Sequence, residues 1–183
     1  MPAKSKRLTP VQTPDRLPAT FNNDGATFHV ANAVWLARLS QLVYKEDEAD
    51  VRVQSAEWGL KLVKWSWVNQ GLTHVGLWSD DRRIFVVFRG TNEFADMRDN
   101  TAIGRLRHDW GQVHAGFNRA VKRVEYELLT TVAEMKNEKK DLWLAGHSLG
   151  GALAVLMAAK FLMANQPVCG VYTYGQPQVG NGA

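Results

Sequence analysis

The run Leu142-Trp143-Leu144-Ala145-Gly146-His147-Ser148-Leu149-Gly150-Gly151 constrains this chain more than any other. A short apolar stretch enters a Gly-x-Ser-x-Gly pentad, and a long apolar stretch from Ala152 to Ala164 follows at once. The spacing predicts a strand, a very tight turn carrying Ser148, and a helix that starts directly after it. Such a turn lifts the serine hydroxyl clear of the sheet. It also sets that hydroxyl at a helix N-terminus, where amides and dipole favour developing negative charge. A Cβ two residues before or after the serine would strike the neighbouring strand or helix, which explains Gly146 and Gly150. Ser148 is therefore the candidate nucleophile.

A chain of 183 residues can bury one sizeable core and is short for two domains. Its apolar fraction of 45% and charged fraction of 22% are ordinary for a globular domain. No apolar run is long enough to span a membrane. The basic N-terminus is not followed by an apolar segment, so no secretory signal is expected and a cytoplasmic location is. Cys169, the only cysteine, lies in an apolar run and reads as core packing. The net charge of +4 is concentrated in residues 1–20, which carry Lys4, Lys6, Arg7 and Arg16 against Asp15 alone. That pattern reads as a solvated arm, and nucleic acid is not an expected partner.

Residues 1–27 contain Pro2, Pro10, Pro14 and Pro18 among polar residues and read as a flexible basic arm. The folded domain is expected over residues 28–183. His29–Tyr44 reads as a helix, with Val30, Val34, Ala37 and Leu42 near helical spacing, Ala31, Ala33, Trp35 and Leu36 widening the apolar face, and Glu46–Asp50 closing it. Strand-favouring residues run from Trp58 to Val68, turn at Asn69-Gln70-Gly71, and return over Leu72–Ser79. Ile84–Phe88 is apolar throughout, as in a strand covered on both faces. Trp65, Trp67 and Trp78 read as strand residues facing a core. Phe94 and Met97, then Ile103, Leu106 and Trp110, fall at helical intervals among arginines. From about Val113 to Asn137, the stripe Phe117, Val121, Val124, Leu128 and Val132 predicts a long amphipathic helix. A last strand is expected over Val168–Tyr174. Strands alternating with helices imply a mostly parallel sheet with helices on both faces.

Four separated blocks now stand in order: Val87-Phe88-Arg89-Gly90-Thr91, Val113-His114-Ala115-Gly116-Phe117, Gly146–Gly151, and Tyr174-Gly175-Gln176-Pro177-Gln178-Val179-Gly180-Asn181. With them the chain resembles the fungal-type (class 3) triacylglycerol lipases of the α/β-hydrolase fold, from about residue 29 onward. The resemblance implies a serine ester hydrolase that cleaves carboxylic esters of acylglycerols or related lipids through an acyl-serine intermediate. It implies an oxyanion hole at Thr91 and Leu149, lipid ester substrates, transient contact with a lipid surface, and neither metal nor cofactor. Asn92–Trp110 follows the oxyanion strand and mixes apolar residues at helical spacing with arginines, so two readings are open: a lid over an apolar site, with Phe94, Met97, Ile103 and Leu106 on its apolar side, or a plain connecting loop.

One element of the family pattern is missing. In this fold the acid and the histidine follow the serine in the chain, yet no Asp, Glu or His follows Ser148. The five histidines, His29, His74, His108, His114 and His147, all precede it. His147 sits inside the elbow and is expected to point away from Ser148, and His114 is expected to brace a helix start. Three readings stay open. The chain is the N-terminal part of a lipase domain with its C-terminal strands and helices missing, or a catalytically incomplete fragment or pseudo-lipase. The third is an acyltransferase or peptidase on the same fold. Acyl-chain and head-group preference, oligomeric state and the role of the basic arm are not readable from these residues.

Overall fold

The computed structural model describes Leu17 and residues 20–65, 73–90, 104–108, 111–136 and 139–180. Its elements run α1 (Val30–Leu42), α2 (Glu48–Glu57), β1 (Lys61–Trp65), β2 (Val75–Ser79) and β3 (Arg83–Phe88). They continue with β4 (Arg105–His108), β5 (Gly111–His114), α3 (Ala115–Lys136), β6 (Asp141–His147), α4 (Leu149–Met163) and β7 (Gly170–Tyr174). Five strands form one sheet in the order β1-β2-β3-β6-β7, and β4 pairs with β5 separately. Strands β1, β2 and β3 are joined as antiparallel neighbours, while β3, β6 and β7 run parallel. The parallel expectation thus holds for β3, β6 and β7, while β1, β2 and β3 pair antiparallel, β2 and β3 across the short turn at residues 80–82.

Strands β3 and β6 are buried on both faces because their alternate residues serve two cores. Ile84, Val86, Phe88, Leu142 and Leu144 pack with α3 and α4. Phe85, Val87, Trp143 and Ala145 pack with α1 and residues near α2. The predicted stripe of α3, Phe117, Val121, Val124, Leu128 and Val132, is buried along its whole length. Each such side chain contributes about 1.5–3 kcal/mol of burial, so the stripe anchors the helix without help from propensity. Trp78 is fully buried, Trp65 meets it edge-on, and Trp67 lies outside the described residues. Cys169 packs at the edge of the second core, as expected, and its thiol donates to Asp141 Oδ1 at 3.5 Å.

Several expectations need correction. Helix α1 buries Asn32, Trp35, Leu36, Leu39, Ser40 and Leu42, whereas Val30 is 70% exposed. The wide apolar face expected here holds at Trp35, Leu36 and Leu42, and packing on β6 leaves Val30 outside it. The acidic run after α1 does not merely end a helix. Asp47 caps α2 by accepting the Ala49 amide at 2.7 Å, with Glu48 and Asp50 in the first turn, a helix-starting pattern.

Residues 20–27 are not all arm. Phe21 meets Trp143, Phe85 and Trp35 edge-on at centroid distances of 4.9, 5.4 and 6.2 Å, and the Arg83 guanidinium lies 4.8 Å from its ring. The Asn22 backbone is tied to Asn32 by paired hydrogen bonds of 2.8 and 2.7 Å. Residues 1–16, and the turn expected at Asn69-Gln70-Gly71, lie outside the described residues.

Candidate active site

Ser148 links β6 to α4 with φ 53° and ψ −127°, a conformation that side-chain-bearing residues avoid. Holding it there costs about 1–3 kcal/mol, and the packing of β6 and α4 on either side enforces it. The Ser148 amide donates to the Tyr174 carbonyl at 2.8 Å, and its own carbonyl accepts from Gly151 at 3.0 Å. The elbow glycines behave as the sequence implies. A Cβ on Gly146 would run into the Gly150 backbone, and one on Gly150 into the Phe88 carbonyl of β3. The side chain of Ser148 is half-buried at the mouth of this turn.

Leu149 is the first residue of α4, directly after the serine, so its N–H has no acceptor inside the helix. Its side chain is buried in the core with α3. The second expected donor, Thr91, lies outside the described residues, as do Phe94, Met97, Ile103 and Trp110. Its neighbour Gly90 is described. A Cβ on Gly90 would come within 2.5 Å of Tyr44 Oη, 2.6 Å of the His147 carbonyl and 3.3 Å of Ser148 Cβ. The end of β3 therefore lies directly against the elbow, consistent with the pairing of Phe88 and Gly146.

Tyr44, which the sequence reading did not single out, joins these pieces. Its hydroxyl accepts the Gly90 N–H at 3.1 Å and lies 2.9 Å from His147 Nδ1. With Gly90 on its lone pair, the phenol is placed to donate to Nδ1. Burial pushes the Tyr44 phenol up from its ordinary range, against the Gly90 amide and Arg89, so it keeps its proton. The Arg89 guanidinium sits 5.4 Å from the same ring.

His147 Nδ1 is thus occupied by the Tyr44 hydroxyl. His114 lies on β5, stacked at 4.3 Å on Phe117, with its amide donating to the Val179 carbonyl at 3.0 Å. That strand pairing starts α3 at Ala115 rather than near Val113. Burial, reinforced by Arg119 and Arg105, holds the His114 imidazole below its ordinary pKa.

Leu106 belongs to β4, paired across from Val113. Arg105-Leu106-Arg107 also alternates, and pairing with β5 makes strand period win over the helical spacing read for this stretch. Leu106 is 40% exposed.

A class 3 lipase family model matches residues 85–183, more than half of the chain. The chain belongs to the class 3 lipase family.

Among its relatives, the lipase of Rhizomucor miehei is 30% identical over 112 residues, covering 56% of this chain and 31% of that protein. Triacylglycerol lipase OBL1 of Arabidopsis thaliana is 26% identical over 199 residues, covering 78% of this chain and 38% of that one. A fungal lipase–inhibitor complex superposes with a TM-score of 0.70 at 25% identity, covering 81% of this chain and 62% of that one. The native Rhizomucor miehei lipase–propeptide complex gives 0.68 at 23% identity, covering 81% and 53%. The fold is that of the α/β-hydrolase lipases. This class 3 lipase chain spans about a third of those curated relatives and between half and two-thirds of those structures.

Within this lipase chain, no three His, Cys, Asp or Glu side chains of the described residues gather so as to hold a metal ion. Nor is any described helix long and apolar enough to cross a membrane.

Proposed function

We propose that this class 3 lipase chain carries the nucleophile half of a serine ester hydrolase acting on acylglycerols or related lipid esters. The observation that carries the reading is Ser148, held at φ 53° between β6 and the N-terminus of α4. From that position Ser148 Oγ attacks the ester carbonyl, and the oxygen that gains charge meets the Leu149 amide at the helix start. Thr91 is the proposed second donor. The carbonyl–alkoxide bond then breaks, leaving an acyl-serine that water hydrolyses. A base must take the Ser148 proton and return it to the leaving alcohol. His147 is held by Tyr44, and no Asp, Glu or His follows Ser148.

A second reading follows from that last observation: the 183 residues by themselves are catalytically incomplete. Loss of triad members costs several orders of magnitude in rate, although the oxyanion site retains some. The two readings separate by experiment. The 183-residue chain should label slowly with a fluorophosphonate and hardly hydrolyse p-nitrophenyl butyrate. A longer chain that supplies an acid and a histidine should do both rapidly and lose both in Ser148→Ala. Rapid, stoichiometric labelling of the 183 residues would overturn the incomplete reading, since an upstream histidine would then be the base. A longer chain that stays inert would overturn the hydrolase reading.

A further inference from the structure

Ala37, Ser40, Gln41 and Tyr44 fall on one stripe of α1 and its terminal turn, at the spacing that brings helical residues side by side. With His147 and Tyr174 they line a cleft of about 360 Å³ on the α1 face of the sheet. Two positions of the stripe are small, and that keeps the cleft open. The buried apolar residues of α1 are Trp35, Leu36, Leu39 and Leu42, each large enough to fill the space beneath it. Ala37 and Ser40 are not. One wall of the cleft is His147, the residue before Ser148, so the cleft adjoins the elbow.

The lining presents ring and hydrocarbon surface because its polar atoms are largely engaged elsewhere. Tyr44 Oη accepts the Gly90 N–H and lies against His147 Nδ1, and Tyr174 Oη donates to the Ala33 carbonyl at 2.6 Å. Gln41 Oε1 accepts from Arg38 at 3.2 Å. The Ser40 hydroxyl is buried and has no hydrogen-bond partner among the described residues. None of the six lining residues is an acid, a lysine or an arginine. A space with this lining offers water few partners and gains from an apolar occupant.

We propose that this cleft holds one unbranched hydrocarbon tail of the uncharged ester that Ser148 attacks, with Ala37 and Ser40 setting the tail length it accepts. The identity of the occupant rests on the hydrolase reading. An ester carbonyl at Ser148 Oγ lies beside the wall formed by His147, so one of its two tails can enter the cleft without leaving the nucleophile. A tail needs only apolar surface and room, and the lining supplies both. Tail binding and ester cleavage are separable, because binding does not use the Ser148 hydroxyl. Octanol bound by a protein that stays inert would overturn the hydrolase reading alone. A blank titration beside an active longer chain would overturn the cleft alone.

The test is an NMR titration of the 183-residue protein with 1-butanol, 1-hexanol, 1-octanol, its branched isomer 2-ethyl-1-hexanol, and methyl octanoate. 1-Octanol should shift the amides of Ala37, Ser40, Gln41 and Tyr174, with affinity rising about fourfold per methylene from butanol to octanol. The branched isomer should bind several-fold more weakly than 1-octanol. Methyl octanoate should shift the same amides, and the tighter of the two eight-carbon ligands assigns the tail to the alcohol or the acyl side. Ala37→Phe, which fills the floor, should weaken 1-octanol about tenfold and 1-butanol little. Gln41→Trp should do the same from the exposed rim. Circular dichroism and urea midpoints establish that each variant is folded, and if one is not, the other decides. Affinity independent of tail length, shifts confined to other parts of the protein, or unchanged 1-octanol affinity in a folded variant would overturn the proposal.

Discussion

The hydroxyl of Tyr44 and Nδ1 of His147 meet at 2.9 Å across 103 residues of sequence. Together with the Gly90 amide on the same oxygen, this contact ties the end of α1 to the ends of β3 and β6. It determines which way the histidine inside the elbow faces, and it holds the backbone one residue before Thr91.

Tyr44→Phe removes that oxygen and keeps the ring under Arg89. The expected cost is about 1 kcal/mol, the net worth of an ordinary hydrogen-bond pair, measured by urea denaturation. The more telling readout is amide hydrogen exchange at Gly90, which should speed up while exchange at Val86 in mid-strand stays slow. Unchanged protection at Gly90 would mean that the phenol does not hold the strand end.

Ser148→Gly should stabilise the chain although it removes the candidate nucleophile. Glycine occupies φ 53°, ψ −127° without a Cβ penalty. A gain of about 1 kcal/mol in unfolding free energy is expected, with Ser148→Ala close to neutral as the control. A Ser148→Gly variant less stable than wild type would show that the turn is not strained.

Gly146→Ala should cost about 3 kcal/mol or more, because the new Cβ meets backbone atoms of Gly150 that cannot rotate away. Gly59 provides the contrast. It has φ +73° with nothing near its Cβ position, so Gly59→Ala should cost only the left-handed backbone term of about 1–2 kcal/mol. Thermal melts of the two variants side by side decide it, and equal losses would count against close packing at the elbow.

Stability should fall as pH drops from 7.5 to 5.5. Burial, aided by Arg89 for His74 and by Arg119 and Arg105 for His114, holds both imidazoles below their ordinary value of 6.5. The unfolded chain takes up protons near that value while the folded chain resists them. The contribution is therefore present above about pH 6.5 and lost as pH falls below it. Urea midpoints at the two pH values should differ in wild type and converge in a His74→Gln, His114→Gln double variant. Parallel slopes in both proteins would place the pH dependence elsewhere.

Some of this molecule was legible from one strand of reasoning, because the physics involved is local. The elbow needs only residues 142–151. Strand hydrophobicity, the glycines on either side of Ser148 and the apolar helix after it are neighbours in sequence, and sterics leave them one arrangement. The stripe of α3 was equally plain, since five residues at 3.6-residue spacing have one face to bury.

What the tertiary structure decided involves choices that local pattern leaves degenerate. Helix α1 offers an apolar face wider than one side can bury, and only contact with β6 decides that Trp35 and Leu36 go inside while Val30 stays out. Residues 105–107 satisfy helical and alternating spacing at once, and the partner strand at residues 111–114 supplies the hydrogen bonds that settle the matter. Phe21 sits in a Pro-containing, polar stretch and gains its place from Trp35, Phe85 and Trp143, none of them near in sequence. Tyr44 has no motif around it. Its role beside Ser148 exists because α1 packs over β6 and brings a phenol to the strand ends, a consequence of long-range burial that no short window of sequence contains.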